Sequence, residues 1–205
     1  MDTLLPDILS IIFIHFDTKQ LIWASRTCKK WRKIYHDNLW RFNICLTSWA
    51  NKIQDKHLES FKTVRTISLQ NCQITDMALK YLKNAQIIDL TNCYYVTDIG
   101  LKELESVIQI NLEECYNITD SGLEYIKECK MVNLYGCYRI SELGLTHFKT
   151  DCSLILCGCC IDNFTEKTMT KFNNLTFRIC EDSDYEMLES VQKVYPKISI
   201  MNENC

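Results

Sequence analysis

Six cysteines set the frame for everything else in this chain. Cys72, Cys93, Cys115, Cys137, Cys159 and Cys180 follow one another at intervals of 21 or 22 residues. A period of this size outranks any local reading, because a unit this short cannot bury its own apolar face and must stack on its neighbours. Aligned on the cysteines, four copies read ISLQNCQITDMALKYL, IDLTNCYYVTDIGLKEL, INLEECYNITDSGLEYI and VNLYGCYRISELGLTHF. Ile88 and Leu90 are two apart, as are Ile110 and Leu112, or Val132 and Leu134. In a strand each pair points to one face while Asp89, Asn111 and Asn133 point to the other.

After the cysteine comes a short helical phrase. Thr97 stands as N-cap, Asp98 brings negative charge to the first turn, and Val96 can meet Leu101 as a hydrophobic staple. Thr75, Thr119 and Ser141 repeat the arrangement. A glycine inside a helix costs about 1 kcal/mol against alanine, so its return at Gly100, Gly122 and Gly144 implies close approach of the next coil's backbone. The pattern predicts an α/β solenoid of about six to seven repeats, with parallel strands on a concave face and short helices on a convex face.

The copies at the ends deviate, as the end repeats of a solenoid should. LILCGCCIDNFTEKTM carries two extra residues after Cys159, which predicts a bulged loop, and Ile198 and Ile200 offer a closing strand. Before the first clear copy, KIQDKHLESF has the helical phrase with Ile53, Asp55 and Leu58 but no clean strand. It reads as a half repeat joining a second module. The boundaries drawn are 1–45 for that module and 46–205 for the repeats.

Composition excludes several classes of function. A formal net charge of −3, from 23 basic and 26 acidic side chains, leaves no overall footprint for nucleic acid or an anionic membrane. The run Lys29, Lys30, Arg32 and Lys33 reads as a solvated helix face. No apolar stretch reaches the length of a membrane span, and Asp2 and Asp7 stand where a secretory leader would be basic. Thirteen cysteines, an odd number without such a leader, predict thiols in a reducing cytosol or nucleus. Cys157 to Cys160, CGCC, lacks the paired spacing of a zinc site, so no metal or other cofactor is expected. His15, His36, His57 and His147 lie in unrelated phases, which supports no enzyme active site.

The first 45 or so residues show none of the period. Pro6 opens a helix at a position where its missing N–H is harmless, and Ile8, Leu9, Ile12, Phe13 and Phe16 form a stripe. Ile11 and Ile14 lie off that stripe, so the helix is apolar nearly all round and must be covered from two sides. A segment this short cannot supply both covers, and the apolar surface left over is a partner-binding surface. Asp17 and Thr18 cap a second helix; Trp31 and Trp40 are its large packing anchors.

LLPDILSIIFIHFDTKQLIWASRTCKKWRKIYHDNLWRF resembles an F-box, through its Leu-Pro-Asp opening, the Ile-Phe of the first helix, Cys-Lys-x-Trp and the closing Leu-Trp. The rest resembles the cysteine-containing leucine-rich repeats that commonly follow an F-box, although these copies are a few residues shorter. The resemblance implies a non-catalytic substrate receptor of a Skp–cullin–F-box ubiquitin ligase. Carried over by position, Leu5, Pro6, Ile8, Leu9, Ile12 and Phe13 make or support the contact with the Skp adaptor, through which a cullin is reached. The concave face would hold a protein substrate, with Asp89, Asn111, Glu113, Asn133, Tyr135, Ile155 and Arg178 as candidate contacts. Interface anchors favour Tyr135, Ile155 and Arg178 among them. A stand-alone scaffold, or a competitor that binds the adaptor or a target without delivering it to ubiquitin, fits the same residues.

Overall fold

The computed structural model describes residues 6–157, 164–179 and 184–201. Three helices come first: α1 (Pro6–Phe13), α2 (Thr18–Thr27) and α3 (Lys29–Asp37). The start of α2 is held by a capping box, in which the Gln20 backbone N–H donates to the Asp17 carboxylate at 2.8 Å and the Asp17 N–H to the Gln20 side chain at 2.9 Å. Phe13 sits at the centre of this unit, edge-on to Trp31 at 5.4 Å and against Phe42 at 6.4 Å. Trp40 does not anchor it. Its ring is exposed and carries the Arg65 guanidinium at 4.9 Å, an amphipathic stack at the surface in place of a core contact.

Among the described residues, eight strands form one parallel sheet in chain order. They are β1 (Asn43–Cys45), β2 (Thr66–Ser68), β3 (Ile87–Asp89), β4 (Gln109–Asn111), β5 (Met131–Asn133), β6 (Ser153–Cys157), β7 (Asn174–Arg178) and β8 (Ile198–Met201). One-turn helices α4 (Asp76–Leu79), α5 (Asp98–Leu101), α6 (Asp120–Leu123) and α7 (Glu142–Leu145) return the chain, followed by the longer α8 (Glu166–Lys171) and α9 (Asp184–Val194). This is the expected α/β solenoid, with Ile198 in its closing strand. The half repeat is fuller than expected, because β1 lies before it and pairs with β2 through Ile44 and Ile67. Ile44 and Leu46 are an apolar pair two apart like those of every later copy, so the sheet begins inside the first module. The extra residues after Cys159 lie outside the described residues.

Cys72, Cys93, Cys115 and Cys137 are buried, and the S–H of the last three donates to a carbonyl of the preceding coil: Cys93 to Leu69 at 3.2 Å, Cys115 to Leu90 at 3.1 Å and Cys137 to Leu112 at 3.0 Å. Burial pushes the Cys72 thiol up to about 11 and the Cys115 thiol to about 12. Cys157 is disulfide-bonded, contrary to the expectation of thiols throughout. The residues before Cys72, Cys93, Cys115 and Cys137 adopt a left-handed backbone: Asn71 (φ 63°), Asn92 (59°), Glu114 (56°) and Gly136 (74°). Asparagine and glycine suit that region; Glu114 does not.

The helical glycines face the preceding coil, and the group they admit is a carboxylate more than a backbone. A Cβ on Gly100 would lie 2.5 Å from Asp76 Oδ1 and 3.3 Å from Asp76 Cα. Asp76 accepts from the Thr97 N–H and hydroxyl, both at 2.7 Å. Asp55 holds Thr75, Asp98 holds Thr119 and Asp120 holds Ser141 in the same way. Each acidic residue at a helix start therefore also fastens the N-cap residue of the next coil.

Candidate functional site

Two surfaces present groups that the fold itself does not use. The first is the outer face of α1. The apolar stripe divides there: Leu9 and Phe13 are 2% and 0% exposed, whereas Ile8, Ile11 and Ile12 are 43%, 53% and 40% exposed. Leu9 and Phe13 can thus only support a partner contact, since they are buried in the core with α3 and Phe42, and the exposed surface belongs to Pro6, Ile8, Ile11 and Ile12. Leu5 lies outside the described residues. An uncovered apolar helix face of this kind is what a partner protein buries.

The second surface is a trough of about 380 Å³ along the concave face of β1 to β6. Its floor is set by strand alternation, with Ile67, Ile88, Ile110 and Val132 turned into the core and their neighbours turned outward. Asp89, Asn111, Asn133 and Ile155 occupy one row, as the spacing predicts, because the strands run in matched register. A second row is formed by Thr66, Ile87, Gln109 and Met131, of which the sequence points to Met131 and misses the other three. Ile87 adjoins Ile88 and looked like core; it is 41% exposed, and Met131 is 43% exposed. The signal was available in the register, since both stand one residue before an inward-facing position.

Hydrogen bonding sorts the candidates. Asp89 accepts from Ser68 Oγ at 3.1 Å, from Thr91 N at 3.0 Å and from Thr91 Oγ1 at 2.6 Å. Asn111 Oδ1 accepts from Glu113 N at 3.0 Å, while its Nδ2 and the Gln109 amide have no partner among the described residues. Glu113, Asn133, Tyr135 and Arg178 come together just beyond the strands. Arg178 grips both Glu113 oxygens at 2.9 and 2.5 Å, and its guanidinium lies 3.6 Å from the centre of the Tyr135 ring. Asn133 Nδ2 donates to Glu113 at 3.1 Å. Side chains about a fifth exposed, in a bidentate and stacked geometry, make this a cross-strand clamp first. Tyr135, 9% exposed, offers a partner little surface.

No group among the described residues gathers three side chains able to hold a metal, and none of their helices is long and apolar enough to cross a membrane. On the flank, Tyr94, Tyr116 and Tyr138 stack in step with the coils at 5.5 and 6.2 Å, with rings within 14° of parallel.

Residues 4–46 match the F-box-like family model. Nothing among curated proteins matches the chain. Among solved structures it resembles a chain in the crystal structure of the Rad7 and Elc1 complex in yeast, with a TM-score of 0.52 and 11% identity over 88% of this chain. The chain spans 61% of that yeast chain, and at this identity the likeness speaks to fold. Those findings meet the geometry at both ends: the chain is an F-box-like helical unit continuing into a leucine-rich-repeat solenoid.

Proposed function

We propose that this chain is the substrate receptor of a ubiquitin ligase of the Skp–cullin–F-box kind. The α1 face docks on an adaptor, which connects to a cullin, and the concave trough holds a protein to be ubiquitinated. The observation that carries the reading is the uncovered apolar face of Pro6, Ile8, Ile11 and Ile12 on an F-box-like unit. The chain contributes binding and no catalysis, and the cytosol or nucleus, where ubiquitin conjugation operates, is its proposed place.

Co-purification of the full chain tests the reading. A Skp-family adaptor and cullin should be recovered with the native chain and lost with Ile8→Asp plus Ile12→Asp, at an unchanged melting temperature. Because the yeast relative is crystallised with Elc1, that protein is a second adaptor to assay. Recovery of neither adaptor, or recovery indifferent to the double substitution, refutes the receptor.

A further inference from the structure

The proposed receptor leaves open what the trough selects, and its charge is one-sided. The fifteen residues lining it include one carboxylate, Asp89, and no lysine, arginine or histidine. Recognition of a phosphorylated segment depends on arginine or lysine clusters that pair with the phosphate. Arg178, outside that lining, has both terminal nitrogens on Glu113. A phosphate brought onto these lining residues would meet no cation among them and would face Asp89.

What the surface offers is different. Gln109 and Asn111 stand on one strand and present amide groups without partners among the described residues. A primary amide has a donor and an acceptor side by side, which suits the N–H and C=O of an extended backbone. Ile87 and Met131 flank Gln109 on the neighbouring strands and expose aliphatic surface. Asp89 has three donors on its two oxygens, one short of the roughly four acceptor sites of a carboxylate.

Resting on the receptor reading, we infer that the trough selects an extended, unphosphorylated segment of the substrate carrying a lysine or arginine next to aliphatic side chains. The cation pairs with Asp89, the aliphatic groups rest on Ile87 and Met131, and the amides of Gln109 and Asn111 bind the segment's backbone.

The test uses the full chain and two immobilised libraries of random 12-residue peptides, one unmodified and one with a phosphoserine at the centre. The native chain should enrich peptides with one Lys or Arg beside aliphatic residues and retain phosphopeptides at least tenfold less. Gln109→Lys, at a side chain with no bonds to lose, should cut binding of the selected basic peptides about tenfold or more, in the range of close charge pairs across an interface. Asp89→Asn should remove the basic preference; its melting curve shows whether the Ser68 and Thr91 contacts survive. Preferential capture of phosphopeptides or acidic peptides, or selection indifferent to Gln109→Lys, overturns the inference. Adaptor co-purification is read separately: a chain that recovers the adaptor yet captures phosphopeptides loses this inference alone, and one that selects basic peptides but recovers no adaptor loses the receptor role alone.

Discussion

Replacing Gly122 by alanine isolates the contact that ties one coil to the one before it. The added Cβ would overlap the Asp98 carboxylate, 2.9 Å from its Cγ and 3.2 Å from its Cβ. Asp98 cannot yield without releasing Thr119, whose N–H and hydroxyl it accepts at 2.8 and 2.6 Å. Two hydrogen bonds to a charged acceptor at about 1.5 kcal/mol each put the loss near 3 kcal/mol. Alanine returns about 1 kcal/mol of helix propensity, so the net destabilisation is about 2 kcal/mol. For a chain of this size that lowers the melting temperature by about 4 to 8 °C. The decisive comparison is a double-mutant cycle. In an Asp98→Ala background the oxygen is gone and only the 3.2 Å Cβ contact remains, so Gly122→Ala should keep its helix-propensity gain and stabilise by up to about 1 kcal/mol. Thermal and urea unfolding of the four proteins give the coupling. An equal loss in both backgrounds, or a stabilised single variant, would refute the assignment of this glycine to the Asp98 contact.

Other outcomes follow from the same geometry. Arg178→Lys removes the bidentate grip on Glu113 and the stack on Tyr135 and should cost about 2 kcal/mol by urea unfolding, where a plain surface charge swap would cost less than about 0.5. Glu114→Asn relieves a left-handed backbone that favours asparagine and should raise stability by about 1 kcal/mol, read as a melting shift of about 2 to 4 °C. At pH 8, iodoacetamide with site mapping should modify exposed Cys45 in the native chain, and Cys72, Cys93, Cys115 and Cys137 only after unfolding. Their thiols have folded-state values raised by burial, to about 11 for Cys72 and about 12 for Cys115. The stability this brings is complete below the unfolded thiol value of about 8.5 and is lost as pH rises toward 11 to 12. A melting temperature that rose between pH 9 and 11 would contradict it.

Cys93, Thr97 and Leu101 were legible in the sequence because their jobs are local: a bend, a cap and a core contact recur at the same offset in every copy. Asp98 was only half legible. Its place in the first turn says that it favours the helix start, but its two bonds to Thr119 join residues 21 apart and require the stacking distance to be known. The glycines announced crowding without its direction, since a missing Cβ does not say which neighbour fills the space. Asp89, Asn111 and Asn133 were placed on the concave face by alternation alone. Ile87 escaped notice because an apolar residue beside a core position looks like more core. The clamp of Glu113 and Arg178 spans 65 residues, and no periodic argument pairs them.

The strand at Asn43–Cys45 has a mechanical consequence. The Cys45 N–H donates to Thr18 Oγ1 of α2 at 2.7 Å, and the same strand is hydrogen-bonded to β2. One apolar core runs from Phe13 through Ile44 to the last coils. The helices and the sheet are therefore welded, with no hinge between them at which one could swing against the other. In the proposed receptor, whatever grips α1 would hold the trough at a set height and heading, so the chain would act as a gauge block: only targets whose lysines fall within a fixed reach of the docked face would come within range. Inserting a flexible Gly-Ser segment after Leu46 would turn that gauge into a tether and blur the choice of lysine.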